Sequence, residues 1–81
     1  MKKQVTLYRE DFQESWGEIV EGYNFWNNTN KRNLEFVSGT KNQIKEFIKI
    51  ILPRITEVLD YFPNDPGLLN DIRKLKSILR S

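Results

Sequence analysis

The 81 residues contain no cysteine, no histidine and no alanine. Without cysteine there is no disulfide framework, no thiolate nucleophile and no cysteine-ligated zinc. Without histidine the commonest general base and the commonest metal ligand are both missing. Long apolar runs are missing as well. The longest, Ile50 to Leu52, has three residues, where a membrane-spanning helix needs roughly 20. Lys2 and Lys3 precede only Val5 and Leu7, which do not make a signal-peptide core. The expectation is a soluble, cytoplasmic protein with no membrane partner, in which Asn27-Asn28-Thr29 matches the glycosylation pattern by coincidence. The missing alanine goes with eight each of Lys, Ile, Leu and Asn, a profile expected of coding DNA rich in A and T. Its structural consequence is that core positions fall to large side chains.

What is present fits one small folded domain. Apolar residues make up 38% and aromatic residues 12%, and 13 Lys plus Arg stand against 11 Asp plus Glu. A chain of this length buries roughly 60–65% of its unfolded surface, so one core yields only a few kcal/mol of net stability. Large core side chains or a partner must compensate.

Three segments carry a helical apolar period. The first runs through Phe12, Trp16, Ile19, Tyr23 and Trp26 and is weakened by Gly17 and Gly22, the second of which is a possible early C-terminal cap. The second runs through Ile44, Ile48, Ile51, Ile55, Val58 and Phe62, with Thr40 and Gln43 forming a capping box at its start. Pro53 falls in its middle, yet the period continues in phase, so a kink is expected rather than two helices. The third opens with Asp65 as N-cap and Pro66 in the first turn, followed by Leu68, Ile72, Leu75 and Leu79. Between the first two, residues 27–39 read as an Asn-rich loop. Two strand-like segments, 4–8 and 34–37, could pair as a minor two-stranded β-ribbon. The expected fold is mainly α: a small three-helix domain, residues 1–81, with a Pro-kinked central helix, with or without that ribbon.

Catalytic chemistry finds little support. Asp11, Glu14, Glu18 and Glu21 share one helix face, the ordinary solvated side of an amphipathic helix. No phosphate loop, dinucleotide fingerprint or calcium loop occurs, and the serines have no histidine to activate them. The expectation is a protein that is not an enzyme, with no cofactor, no metal site and no small-molecule substrate.

Charge and surface suggest binding instead. Residues 9–26 hold one basic against five acidic residues, net −4, whereas residues 40–81 hold eight against five, net +3. The simplest consequence is that the acidic first helix and the basic later helices lie side by side. On the second helix, Phe47, Ile50, Arg54 and Tyr61 form a flank beside the core stripe, widening its apolar arc beyond what a surface helix needs. Aromatic residues with an arginine are typical interface anchors. Phe25 and Trp26 add a second aromatic candidate at the end of the first helix. The favoured reading is a protein-protein interaction module, binding another protein or itself as a homodimer: a regulator, an inhibitor or adaptor, or an assembly subunit. A phage or mobile-element origin is compatible on size alone. The alternative is a nucleic-acid-binding domain using Lys41, Lys45 and Lys49 together with Arg73, Lys74, Lys76 and Arg80. Against it, the acidic first helix repels phosphate, and the third helix offers only Asn70 for reading bases, beside an Asp71 expected to be exposed.

Overall fold

Thr40 starts the longest helix as its signals predict. Its hydroxyl accepts the Gln43 N–H at 3.2 Å, and Gln43 Oε1 accepts the Thr40 N–H at 2.9 Å. In this computed structural model, which describes residues 4–81, the order is β1 (Gln4–Tyr8), a 3-10 turn (Arg9–Asp11), α1 (Trp16–Asn27), β2 (Phe36–Thr40), α2 (Lys41–Tyr61) and α3 (Pro66–Arg80). The described residues are 65% helical, the 3-10 turn included, with three α-helices and one small antiparallel sheet among them. The helix α2 passes through Pro53 without interruption. Proline has no N–H to offer the Lys49 carbonyl, but Pro53 is exposed and the loss falls on the solvent side. Ile44, Ile48, Ile51 and Ile55 keep one phase across it and are all fully buried.

The ribbon forms, with β1 where the sequence places it and β2 displaced. β1 pairs antiparallel with 36–40 rather than 34–37, bringing Leu7 opposite Val37 and Tyr8 opposite Phe36. The reason lies in Thr40. Its backbone is still extended (φ −65°, ψ 162°), so one residue closes the strand and caps the helix with no linker. Leu34 and Glu35 are used differently. The Leu34 carbonyl accepts the Trp16 indole N–H at 2.8 Å, and the Glu35 carbonyl accepts the Arg9 N–H at 3.0 Å.

The helix α1 is shorter at its start and longer at its end than its apolar stripe suggests. Phe12 precedes it in non-helical conformation (φ −135°, ψ 41°) yet is buried. Gly22 does not end the helix. Asn28 does, in left-handed geometry (φ 53°) that asparagine tolerates. Gly22 is instead where α1 comes closest to α2, because a Cβ there would fall on Ile51 Cγ2. Past the helix, Asn24 organises the loop: its Oδ1 accepts from Thr29 Oγ1 and the Lys31 N–H, and its Nδ2 donates to the Lys31 carbonyl.

The start of α3 is capped by Asp65, whose carboxylate accepts the N–H groups of Gly67 at 2.9 Å and Leu68 at 3.2 Å. Along one side of α3 runs the irregular segment 11–15. Glu14 packs where Gly67 has no side chain, Ser15 bonds to Asp71, and Lys74 donates to the Asp11 carbonyl while its ammonium lies 5.3 Å from the centre of the Phe12 ring. Positions 67, 71 and 74 form a second stripe beside the apolar one. Asp71 is therefore buried, not exposed as its charge suggests. Its Oδ2 accepts both the Ser15 N–H at 3.1 Å and the Ser15 hydroxyl at 2.8 Å. These bonds, placed at the positive N-terminal end of α1, satisfy a carboxylate that burial would otherwise penalise. The core is completed by Ile19, Phe47, Leu68, Ile72 and Leu75. The central element is α2, packed against both other helices and both strands.

Candidate functional site

The aromatic flank read from the sequence separates into core and surface. Phe47 is fully buried, so it leaves the docking flank. It is held by Trp26, stacked on it at 5.4 Å, and by Tyr23, edge-on at 6.4 Å between ring centres. Trp26 thus gives one face to the core and remains 39% exposed. Ile50 is only half-buried. Phe62, which continues the apolar period of α2, lies past the end of the helix and is 60% exposed.

What remains on the surface is concentrated where α1 meets α2. The two helices run antiparallel, with Trp26 beside Phe47, Gly22 beside Ile51, and Glu18 near Arg54. Glu18, Glu21 and Phe25 recur at helical spacing on α1, and Arg54, Glu57, Val58 and Tyr61 do so on α2. Between them is a groove of about 520 Å³ lined by Glu18, Glu21, Arg54, Glu57, Val58 and Tyr61. Phe25 is 70% and Tyr61 76% exposed. Arg54 is the pivot. Its Nη1 lies 3.6 Å from Glu21 and 3.9 Å from Glu18, and its guanidinium carbon is 5.8 Å from the centre of the Phe25 ring. One cation faces three carboxylates here. Burial pushes the Glu18 carboxyl above its ordinary value, and Glu21 adds to the shift. Arg54 offsets part of it, while Glu57 raises it further. The side-by-side placement of acidic and basic helices is therefore real at Arg54, but it leaves negative charge over.

The other exposed aromatic pair lies on the ribbon, where it lines a groove with Arg9, Glu10, Gln13 and Glu35. Tyr8 and Phe36 are opposite each other across the ribbon, where such pairs stabilise the strands.

The basic residues divide unevenly: Lys45, Lys49 and Lys76 lie along the α2–α3 side, and Arg73 and Lys74 lie apart, toward β1. Lys49 pairs with Glu46 at 3.2 Å and shares a groove between α2 and α3 with Lys76, together with Glu57 and Asp60. Lys45 reaches the Ser81 carbonyl. Arg73 and Lys74 line a different groove, against Thr6 and Leu7 of β1, and Lys74 is engaged with Asp11 and Phe12. Lys41 and Arg80 are exposed. Among the described residues no three acidic side chains gather as a metal site, and no helix is long and apolar enough to cross a membrane. Compared with known protein families, curated proteins and solved structures, the chain matches none.

Two site features are invisible to the sequence reading: the pivot made by Arg54 between Glu18 and Glu21, and the exposure of Phe62. The four-three spacing of Glu14, Glu18 and Glu21 is the signal that could have found the first, had it been set against the flank of α2.

Proposed function

We propose that the chain is a non-enzymatic, cytoplasmic binding module that docks another protein on the α1–α2 face. The observation that carries this reading is the exposure of Phe25 and Tyr61 on adjoining helix faces, on either side of a half-buried Arg54. Neither ring completes the core, and Arg54 is already ordered by Glu18 and Glu21, which lowers the entropy cost of using it in an interface. Rigid aromatic rings around an arginine are the usual anchors of such contacts. Trp26, next to Phe25 in the chain and 39% exposed, adds to the apolar area. The roles that fit are those of a regulator, an inhibitor or adaptor, or an assembly subunit.

Nucleic-acid binding has less support, because the α2–α3 groove that holds Lys49 and Lys76 also holds Glu57 and Asp60, and the most exposed aromatics, Phe25 and Tyr61, lie beside carboxylates. The decisive experiment is affinity purification of the tagged protein from its own cells, beside a Phe25→Ser/Tyr61→Ser variant. A stoichiometric partner retained by the wild type and lost from the variant, with unchanged far-UV circular dichroism, is the expected result. A partner retained equally by both moves the interface elsewhere.

A further inference from the structure

The electrostatics of the α1–α2 groove narrow the partner, on the reading that this face is where it docks. Glu18, Glu21 and Glu57 face Arg54 alone, in a molecule whose whole charge is +2. The excess is local and opposite in sign to the rest of the chain. Glu21 has two-thirds of its side chain open to solvent even while paired to Arg54, so a second cation can reach it. The groove also has a length. Phe25 lies beyond Gly22, the residue against Ile51, and Tyr61 lies ten residues past Ile51 in the antiparallel sense. At about 1.5 Å of rise per residue, the backbone positions that carry the two rings are roughly 15–20 Å apart along the seam.

We infer that the α1–α2 groove receives a basic amphipathic segment of a partner protein, its apolar side chains on Phe25 and Tyr61 and its lysines or arginines on Glu21 and Glu57. An acidic or neutral apolar segment would have to bury Glu18, Glu21 and Glu57 with Arg54 as the one counter-charge in the groove, and like charges brought together at an interface are costly. A basic one supplies the cations that the groove lacks and is drawn in by the field over it. A segment that packs along the seam between two antiparallel helices makes the helix-in-groove form of recognition.

The probes are three fluorescent peptides of about 15 residues, the length of a four-turn helix: one of Leu and Lys in amphipathic order, one with Glu for every Lys, and one with Ser for every Leu. Anisotropy is read with the whole chain at about 50 and 200 mM salt, either side of the range where screening tightens. The Leu/Lys peptide is expected to bind about tenfold or more tighter than the Leu/Glu peptide, and to weaken with salt. Glu21→Lys/Glu57→Lys should reverse that preference, and Tyr61→Ser should weaken the Leu/Lys peptide. Equal or tighter binding of the Leu/Glu peptide, still lost in Tyr61→Ser, overturns the basic partner and leaves the docking face standing. Binding indifferent to Tyr61→Ser, or no binding of any peptide, overturns the inference; indifference to Tyr61→Ser also counts against the face itself. Equal binding of the Ser/Lys peptide means unspecific attraction and overturns the inference too. Light scattering completes the set: a dimer dissociated by Tyr61→Ser assigns the groove to a second copy and overturns a basic partner.

Discussion

At the scale of single residues, Asp71 shows how far environment can reverse a side chain's apparent role. By its type it belongs in solvent; it is 4% exposed because Ser15 brings two donors to it. Asp71→Ala should therefore cost about 1–3 kcal/mol in urea unfolding, because it strands a buried hydroxyl and leaves the Ser15 N–H with the Phe12 carbonyl alone. Asp71→Asn should cost less, since its amide oxygen still accepts. Glu18 works in the opposite direction. Its carboxyl titrates above the ordinary value, chiefly through burial, so the folded state favours the protonated form. The stability that this form contributes is complete below the unfolded-state value and is lost as pH rises through the folded one. Glu18→Gln should therefore gain stability relative to the wild type as pH rises from mild acid to neutral. The gain should be well under about 1 kcal/mol, because nearly a third of the side chain is exposed and its pairing is screened. Parallel urea titrations at pH 4 and pH 7, near and above the usual carboxylate range, check the sign. A gap that closes toward neutral pH would contradict it.

At the scale of elements, two positions in the helices carry opposite costs. Gly22 is unfavourable for helix formation by up to about 1 kcal/mol relative to alanine, but it lets α1 approach Ile51. Gly22→Ala should destabilise despite its better propensity, by about 1–3 kcal/mol, as overpacked sites do. A rise in the thermal midpoint would show that α1 can move away at little cost. Pro53 is the reverse case: it sits in a helix interior, exposed, where nothing in the core needs it. Pro53→Ala restores a donor to the Lys49 carbonyl and should stabilise by about 1–3 kcal/mol. Most of the elements were legible in the sequence. The capping box at Thr40, the Asp65–Pro66 start of α3 and the four buried isoleucines of α2 are local signals, and each reports its own surroundings within four residues. The start of α1 was not legible, because Phe12 fits the helical period while its backbone follows the attachment of segment 11–15 to α3. The shift of β2 from 34–37 to 36–40 has the same origin: the strand is positioned by the cap it runs into.

At the scale of the whole molecule, the groove between α1 and α2 has an acidic excess, while Lys49 and Lys76 line the groove between α2 and α3. The exposed aromatics of the α1–α2 groove should be dispensable for folding. Phe25→Ser and Tyr61→Ser are each expected to shift unfolding free energy by less than about 0.5 kcal/mol, as surface substitutions do. A larger loss would mean that the rings are structural. The sequence by itself determined three helices, the N-caps of α2 and α3, the apolar stripes that face the core, and the exclusion of cysteine and histidine chemistry. All of these depend on residue type and on spacing within a few positions. Only the tertiary structure decided which aromatics are left over. Phe47 and Tyr61 lie on the same flank of α2, but Trp26 and Tyr23 cover the first and nothing in the fold covers the second. The same holds for the basic residues: the packing of α3 on α2 brings Lys49 and Lys76 into one groove and leaves Arg73 and Lys74 facing β1. Burial is a property of what lies opposite in space, and that partner is set by contacts far apart along the chain.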